Sequence, residues 1–132
     1  MNNARIATVV GIAVAVIVLT AVALPGLANA AGLAKTKISI NAQNASALSG
    51  TIKSKRVDCL AQRQVKVYMM VGQLPNPAAD TVIGAGTAVL NGKKYEWSTA
   101  NSNAPTGLYY AYAPPVPFCK SGMSRTLSLL GK

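Results

Sequence analysis

The sequence predicts an all-β fold, a seven-stranded antiparallel β-sandwich behind an N-terminal hydrophobic signal helix. From Lys35 onward the apolar residues recur with period two, the spacing that sends alternate side chains to opposite faces of a strand. Clusters of Gly, Pro, Asn and Ser interrupt that rhythm every eight to twelve residues, as short strands joined by turns require. Cys59 and Cys119 fall in the second-to-third and sixth-to-seventh connections, which in a sandwich leave by the same end.

Each strand has its own justification. In 35–40, Ile38 and Ile40 share a face against Lys37 and Ser39, and in 48–54 Ile52 points inward while Gly50 weakens or kinks the strand. Segment 65–71 alternates most cleanly: Val65, Val67, Met69 and Val71 against Lys66, Tyr68 and Met70, the pattern of a central strand. Leu74-Pro75-Asn76-Pro77 is a turn. Segment 81–90 carries Gly84 and Gly86, which predicts an edge strand or two short pieces around a bulge. Asn91-Gly92 makes a tight hairpin turn into 95–99, where Tyr95, Trp97 and Thr99 alternate with Glu96 and Ser98. Strand 108–113 follows a polar connection and precedes the Pro114-Pro115-Val116-Pro117 loop, which lacks ladder donors. Strand 124–130 closes the sheet with Leu127 and Leu129 on one face.

The N-terminus reads as an export signal over residues 1–30, leaving 31–132 as a single domain. Arg5 precedes a charge-free run over 6–24 whose only polar side chains are Thr8 and Thr20. Pro25-Gly26 breaks a helix, and Ala28-Asn29-Ala30 supplies small residues for cleavage between Ala30 and Ala31. The alternative is a retained membrane tether, because nineteen apolar residues approach the roughly 20 that span a bilayer. The domain is therefore expected outside the cell, secreted or extracellular, with the membrane a partner only through an uncleaved signal. Without Arg5 it keeps twelve Lys or Arg against Asp58, Asp80 and Glu96, so it is strongly basic.

Two cysteines in an exported chain allow one intramolecular bridge, Cys59–Cys119, and an oxidising compartment makes it the expectation. A redox role would want closer spacing. No histidine is present, so neither a zinc set nor a Ser-His-Asp arrangement can be assembled, and no catalytic, cofactor or metal residue is predicted. Three scattered carboxylates do not make a hydrolytic pair, and Gly84-Ala85-Gly86 lies in a strand pattern and opens no helix.

Short pieces in order carry a family likeness: Ser49-Gly50-Thr51-Ile52-Lys53-Ser54, Cys59 ahead of Arg63-Gln64-Val65-Lys66-Val67-Tyr68, and the Asn91-Gly92 turn. Gly107-Leu108-Tyr109-Tyr110-Ala111 follows, then Cys119-Lys120 ahead of Ser124-Arg125-Thr126-Leu127. Over about eighty residues the chain resembles small exported bacterial domains of the carboxypeptidase-regulatory-like, transthyretin-like (prealbumin-like) type, an Ig-like sandwich. The resemblance implies a structural or binding module without an active site. The chain departs from it at Leu108, Tyr110 and Tyr112, where relatives tend to alternate with charged residues.

The expected function is accordingly a non-enzymatic module, structural or interacting at the cell surface, with a binding domain for carbohydrate or anionic envelope polymer as the alternative. Partners on these readings are an envelope polysaccharide, an anionic polymer or another surface protein. Lys53-Lys55-Arg56 and Lys93-Lys94 are the densest cationic clusters, and lacking interleaved aromatics they do not suit nucleic acid. If Tyr109, Ala111 and Ala113 point inward, Leu108, Tyr110 and Tyr112 form an exposed apolar stripe able to stack on sugars. A Lys-to-Asn isopeptide bond served by Glu96 with Lys35 or Lys37 is disfavoured, since 124–130 offers no Asn or Asp; a solvent-facing Glu96 beside a lysine is expected instead.

Overall fold

The structure is a computed structural model that describes residues 32–44, 47–100 and 103–130. The signal run, Ala28, Ala30 and Ala31 lie outside the described residues. No helix among the described residues is long and apolar enough to cross a membrane.

Among the described residues ten strands form two antiparallel sheets. The first orders β1 (Thr36–Ile38), β3 (Ala47–Ser54), β7 (Lys94–Ser98) and β6 (Val89–Asn91), with β2 (Asn41–Asn44) also on β3. The second orders β10 (Leu127–Leu129), β8 (Gly107–Ala113), β4 (Gln64–Met69) and β5 (Thr81–Thr87), with β9 (Gly122–Met123) also on β8. Between them lies one core built from Ile40, Leu48, Ile52, Val65, Val67, Ala88, Trp97, Tyr109, Ala111 and Ala113. The period-two pattern thus put Ile52, Val65, Val67 and Trp97 inside, but not Val71, which lies past the end of β4 and is 71% exposed.

The strand count differs from seven because the expected strand 81–90 is broken in two and two short strands, β2 and β9, form in segments read as connections. β1 and β2 are separated at Ser39–Ile40, where Ile40 is fully buried. Segment 124–126 divides β9 from β10, and there the Ser124 hydroxyl takes the Ala111 N–H at 2.8 Å. The glycine-bearing segment breaks at Ala88, and the halves join different sheets: β5 pairs with β4, β6 with β7. Ala88 holds that corner through its N–H to Arg63 O at 2.8 Å and its carbonyl to the Gln62 N–H at 3.0 Å.

Two glycines bring elements of the opposed sheets together. A Cβ on Gly86 would stand 2.4 Å from Ser98 O, and one on Gly122 2.8 Å from Thr36 O. A side chain at either would force backbone apart, which explains why the sheets meet at β5–β7 and at β1–β9. Gly92 takes the φ of 62° that the tight turn before β7 needs.

Candidate functional site

The outer face of the first sheet is set by strand parity. Because Leu48 and Ile52 of β3 face the core, Ser49, Thr51, Lys53 and Lys55 face outward. On β1 the same parity turns out Lys35 and Lys37, and Lys37 sits directly opposite Lys53. Lys35, Lys37, Lys53 and Lys55 line, with Leu33, Ala34 and Ser54, a hollow of about 670 Å³. Lys53 also borders a smaller hollow with Lys93, Lys94 and Tyr95.

Like charges placed directly across a strand pair are destabilising, so this ladder works against the fold that carries it. No carboxylate relieves it: the one ion pair among the described residues joins Arg56 to Asp58 at 3.3 Å. Asp80 is committed to a loop, and Glu96 accepts from Asn91 Nδ2 at 2.7 Å. Glu96 is half-buried and bonded to an amide, not to the lysine neighbour the sequence suggested.

Beyond the lysines the same face is polar, with Glu96 as its carboxylate. Asn41, Ser49, Thr51, Asn91, Glu96 and Ser98 line an open hollow of about 730 Å³. The sheet's outer face therefore runs from amides, hydroxyls and the Glu96 carboxylate at one end to lysines at the other. Trp97 also borders this hollow but is only 2% exposed, and its indole N–H has no partner among the described residues. It offers no free ring to stack on a sugar.

The predicted stripe on β8 is corrected. Tyr109, Ala111 and Ala113 do face the core, yet Tyr110 is also fully buried and Tyr112 half-buried; Leu108 alone is exposed. The reason is a covering loop. Tyr110 stacks on Tyr68 at 5.3 Å with the planes 8° apart, Tyr112 meets Tyr68 edge-on at 6.2 Å, and the Tyr110 hydroxyl donates to Asp80 at 2.8 Å. Asp80 also accepts from the Val71 N–H at 2.9 Å and the Asn76 N–H at 2.6 Å, which folds the 70–80 loop back on itself. Those bonds, Val71's first, hold the Asp80 carboxyl below its ordinary range, while burial and then Asp80 push the Tyr110 hydroxyl above its own. These aromatics form a second, outer cluster and leave no sugar platform.

Cys59 and Cys119 are bridged, with Cα atoms 5.6 Å apart, and the bridge is compatible with an extracellular location. It ties the 3-10 turn Val57–Cys59 to the loop before β9. Arg63 lies beneath, 4% exposed, donating to Cys59 O at 3.3 Å, Pro114 O at 2.7 Å and Lys120 O at 3.1 Å. Burial lowers the affinity of its guanidinium for its proton; the three carbonyls replace the water its Nη1 and Nη2 gave up, while its buried Nε has no partner among the described residues. Sequence reading missed this residue, although a lone Arg four positions past a bridged cysteine, heading an apolar strand, was the available signal.

Among the described residues no three of the acidic and sulfur-bearing side chains come together as a metal ligand set. No family model, no curated protein and no solved structure matches this chain, so its site must be read from its own geometry.

Proposed function

We propose that this chain is an exported, non-enzymatic β-sandwich of the transthyretin-like kind, with 31–132 as its working domain, that binds an anionic polymer of the cell envelope. The observation that carries the reading is Lys37 directly across from Lys53, flanked by Lys35 and Lys55 with no carboxylate among them. A fold tolerates such a ladder at some cost in stability, and a polyanion laid along the strands removes that cost. The adjoining amides and hydroxyls of Asn41, Ser49, Thr51 and Ser98 suit a polymer that carries sugar or polyol hydroxyls between its charges.

The test is an array of envelope polymers, anionic and neutral, probed with the exported protein. Binding to anionic polymers that fades with added salt is the expected result. Equal binding to neutral glycans would defeat the reading. Intact mass of the exported product checks the accompanying expectations: loss of residues 1–30 and of two hydrogens at the bridge.

A further inference from the structure

Four exposed apolar side chains gather at the disulfide pole: Val57, Phe118, Val116 and Leu33, with exposures of 59%, 42%, 39% and 37%. A disulfide and two backbone hydrogen bonds hold them in one place. The Cys59–Cys119 bridge joins the turn carrying Val57 to the loop carrying Val116 and Phe118. Ala34 donates to Phe118 O and accepts from the Lys120 N–H, both at 2.9 Å, which fixes Leu33 beside that loop. Phe118 adopts a φ of 65°, a conformation bulky residues rarely take, and its ring lies 5.2 Å from the Arg56 guanidinium carbon. Exposed Lys35, Lys55, Arg56 and Lys120 lie on the same segments, with Asp58, paired to Arg56, the carboxylate beside them.

We infer that this pole seats on a bilayer rich in anionic lipid, its apolar side chains entering the headgroup boundary while the cations meet the headgroups. Apolar tips ringed by Lys and Arg are what an anionic membrane surface rewards twice over, by burial and by charge. A hydrophilic polymer would use the cations and leave the apolar tips in water. A second copy would bring one cationic ring against another. Leu33 and Ala34 bring the start of the described chain into the sandwich at this pole. The pole adjoins the Lys37–Lys53 face and shares Leu33, Lys35 and Lys55 with its hollow, whereas Val57, Val116 and Phe118 belong to the pole alone.

The reporter is the exported Phe118→Trp variant, mixed with vesicles of equal parts phosphatidylglycerol and phosphatidylcholine carrying brominated acyl chains. The added emission is lost to quenching, whereas Trp97, 2% exposed in the core, keeps its own. Omitting phosphatidylglycerol weakens the quenching about tenfold or more in lipid concentration. Unquenched emission on anionic vesicles overturns the inference, as does equal quenching on phosphatidylcholine alone. So does self-association without lipid that shields the reporter. A second pair of variants separates this surface from polymer binding. Val57→Ser with Val116→Ser lowers vesicle affinity and leaves polymer binding intact; loss of polymer binding alone would contradict the assignment.

Discussion

The Tyr110 hydroxyl donates to Asp80 Oδ2 at 2.8 Å across thirty positions of sequence. That bond fastens the 70–80 loop over the outer face of the second sheet and closes what would have been an aromatic strip. Tyr110→Phe should lower unfolding stability by about 1 kcal/mol, read from denaturant midpoints. Should the midpoint hold, the loop is fastened by something else.

Asp80 makes the same contact pH-sensitive. Its folded-state pKa is depressed by the N–H groups of Val71 and Asn76, so its contribution is complete above the unfolded value of about 3.9 and disappears as pH falls through the lower folded value. Tyr110 acts in the opposite sense: raised, it contributes up to about pH 10 and loses that contribution as pH climbs through its folded value. Stability measured against pH should fall at both extremes, and Asp80→Asn should flatten the acid limb. An unaltered acid limb in that variant would show that Asp80 is not its source.

Gly86→Ala should cost about 2 kcal/mol, because the new methyl would stand 2.4 Å from a backbone oxygen of β7. Gly72→Ala is the control, since nothing lies within 4 Å of a Cβ there. Equal melting temperatures for the two variants would refute the close approach of β5 and β7.

Arg63→Met should cost about 3 kcal/mol by stripping the Cys59, Pro114 and Lys120 carbonyls of their donor. Arg63→Lys should recover part of this, since one ammonium cannot reproduce the planar fork. Thermal unfolding of the oxidised protein provides the comparison. A fully stable Met variant would mean the carbonyls find other donors.

Reducing Cys59–Cys119, which closes a separation of 60 residues, should remove about 4 kcal/mol. Denaturant unfolding with and without reductant measures it, and coincident curves would make the bridge energetically idle.

The legible part of this fold was the part governed by local alternation. Val65 and Val67 on β4, Ile52 on β3 and Trp97 on β7 point inward as their spacing demands, and the cysteine pair follows from the order of connections. The sheet change at Ala88 was not legible, because it depends on backbone bonds to Gln62 and Arg63 from a distant strand start. The burial of Tyr110 also escaped: alternation tells which side of a strand a residue occupies, but a loop held by Asp80 decides whether that side meets water. For the site, the Lys53-Lys55-Arg56 cluster was visible as a run, while its pairing with Lys35 and Lys37 needed the β1–β3 register.

The most direct test of the central claim is the affinity of the protein for a polyglycerol phosphate, compared with the Lys37→Glu, Lys53→Glu double variant. Reversing charge at the directly opposed pair should weaken binding about tenfold or more and flatten its salt dependence, with the unfolding midpoint little changed, because a Glu–Glu pair replaces the Lys–Lys pair while the contacts with Lys35 and Lys55 turn attractive. Wild-type affinity in a folded double variant would contradict the account.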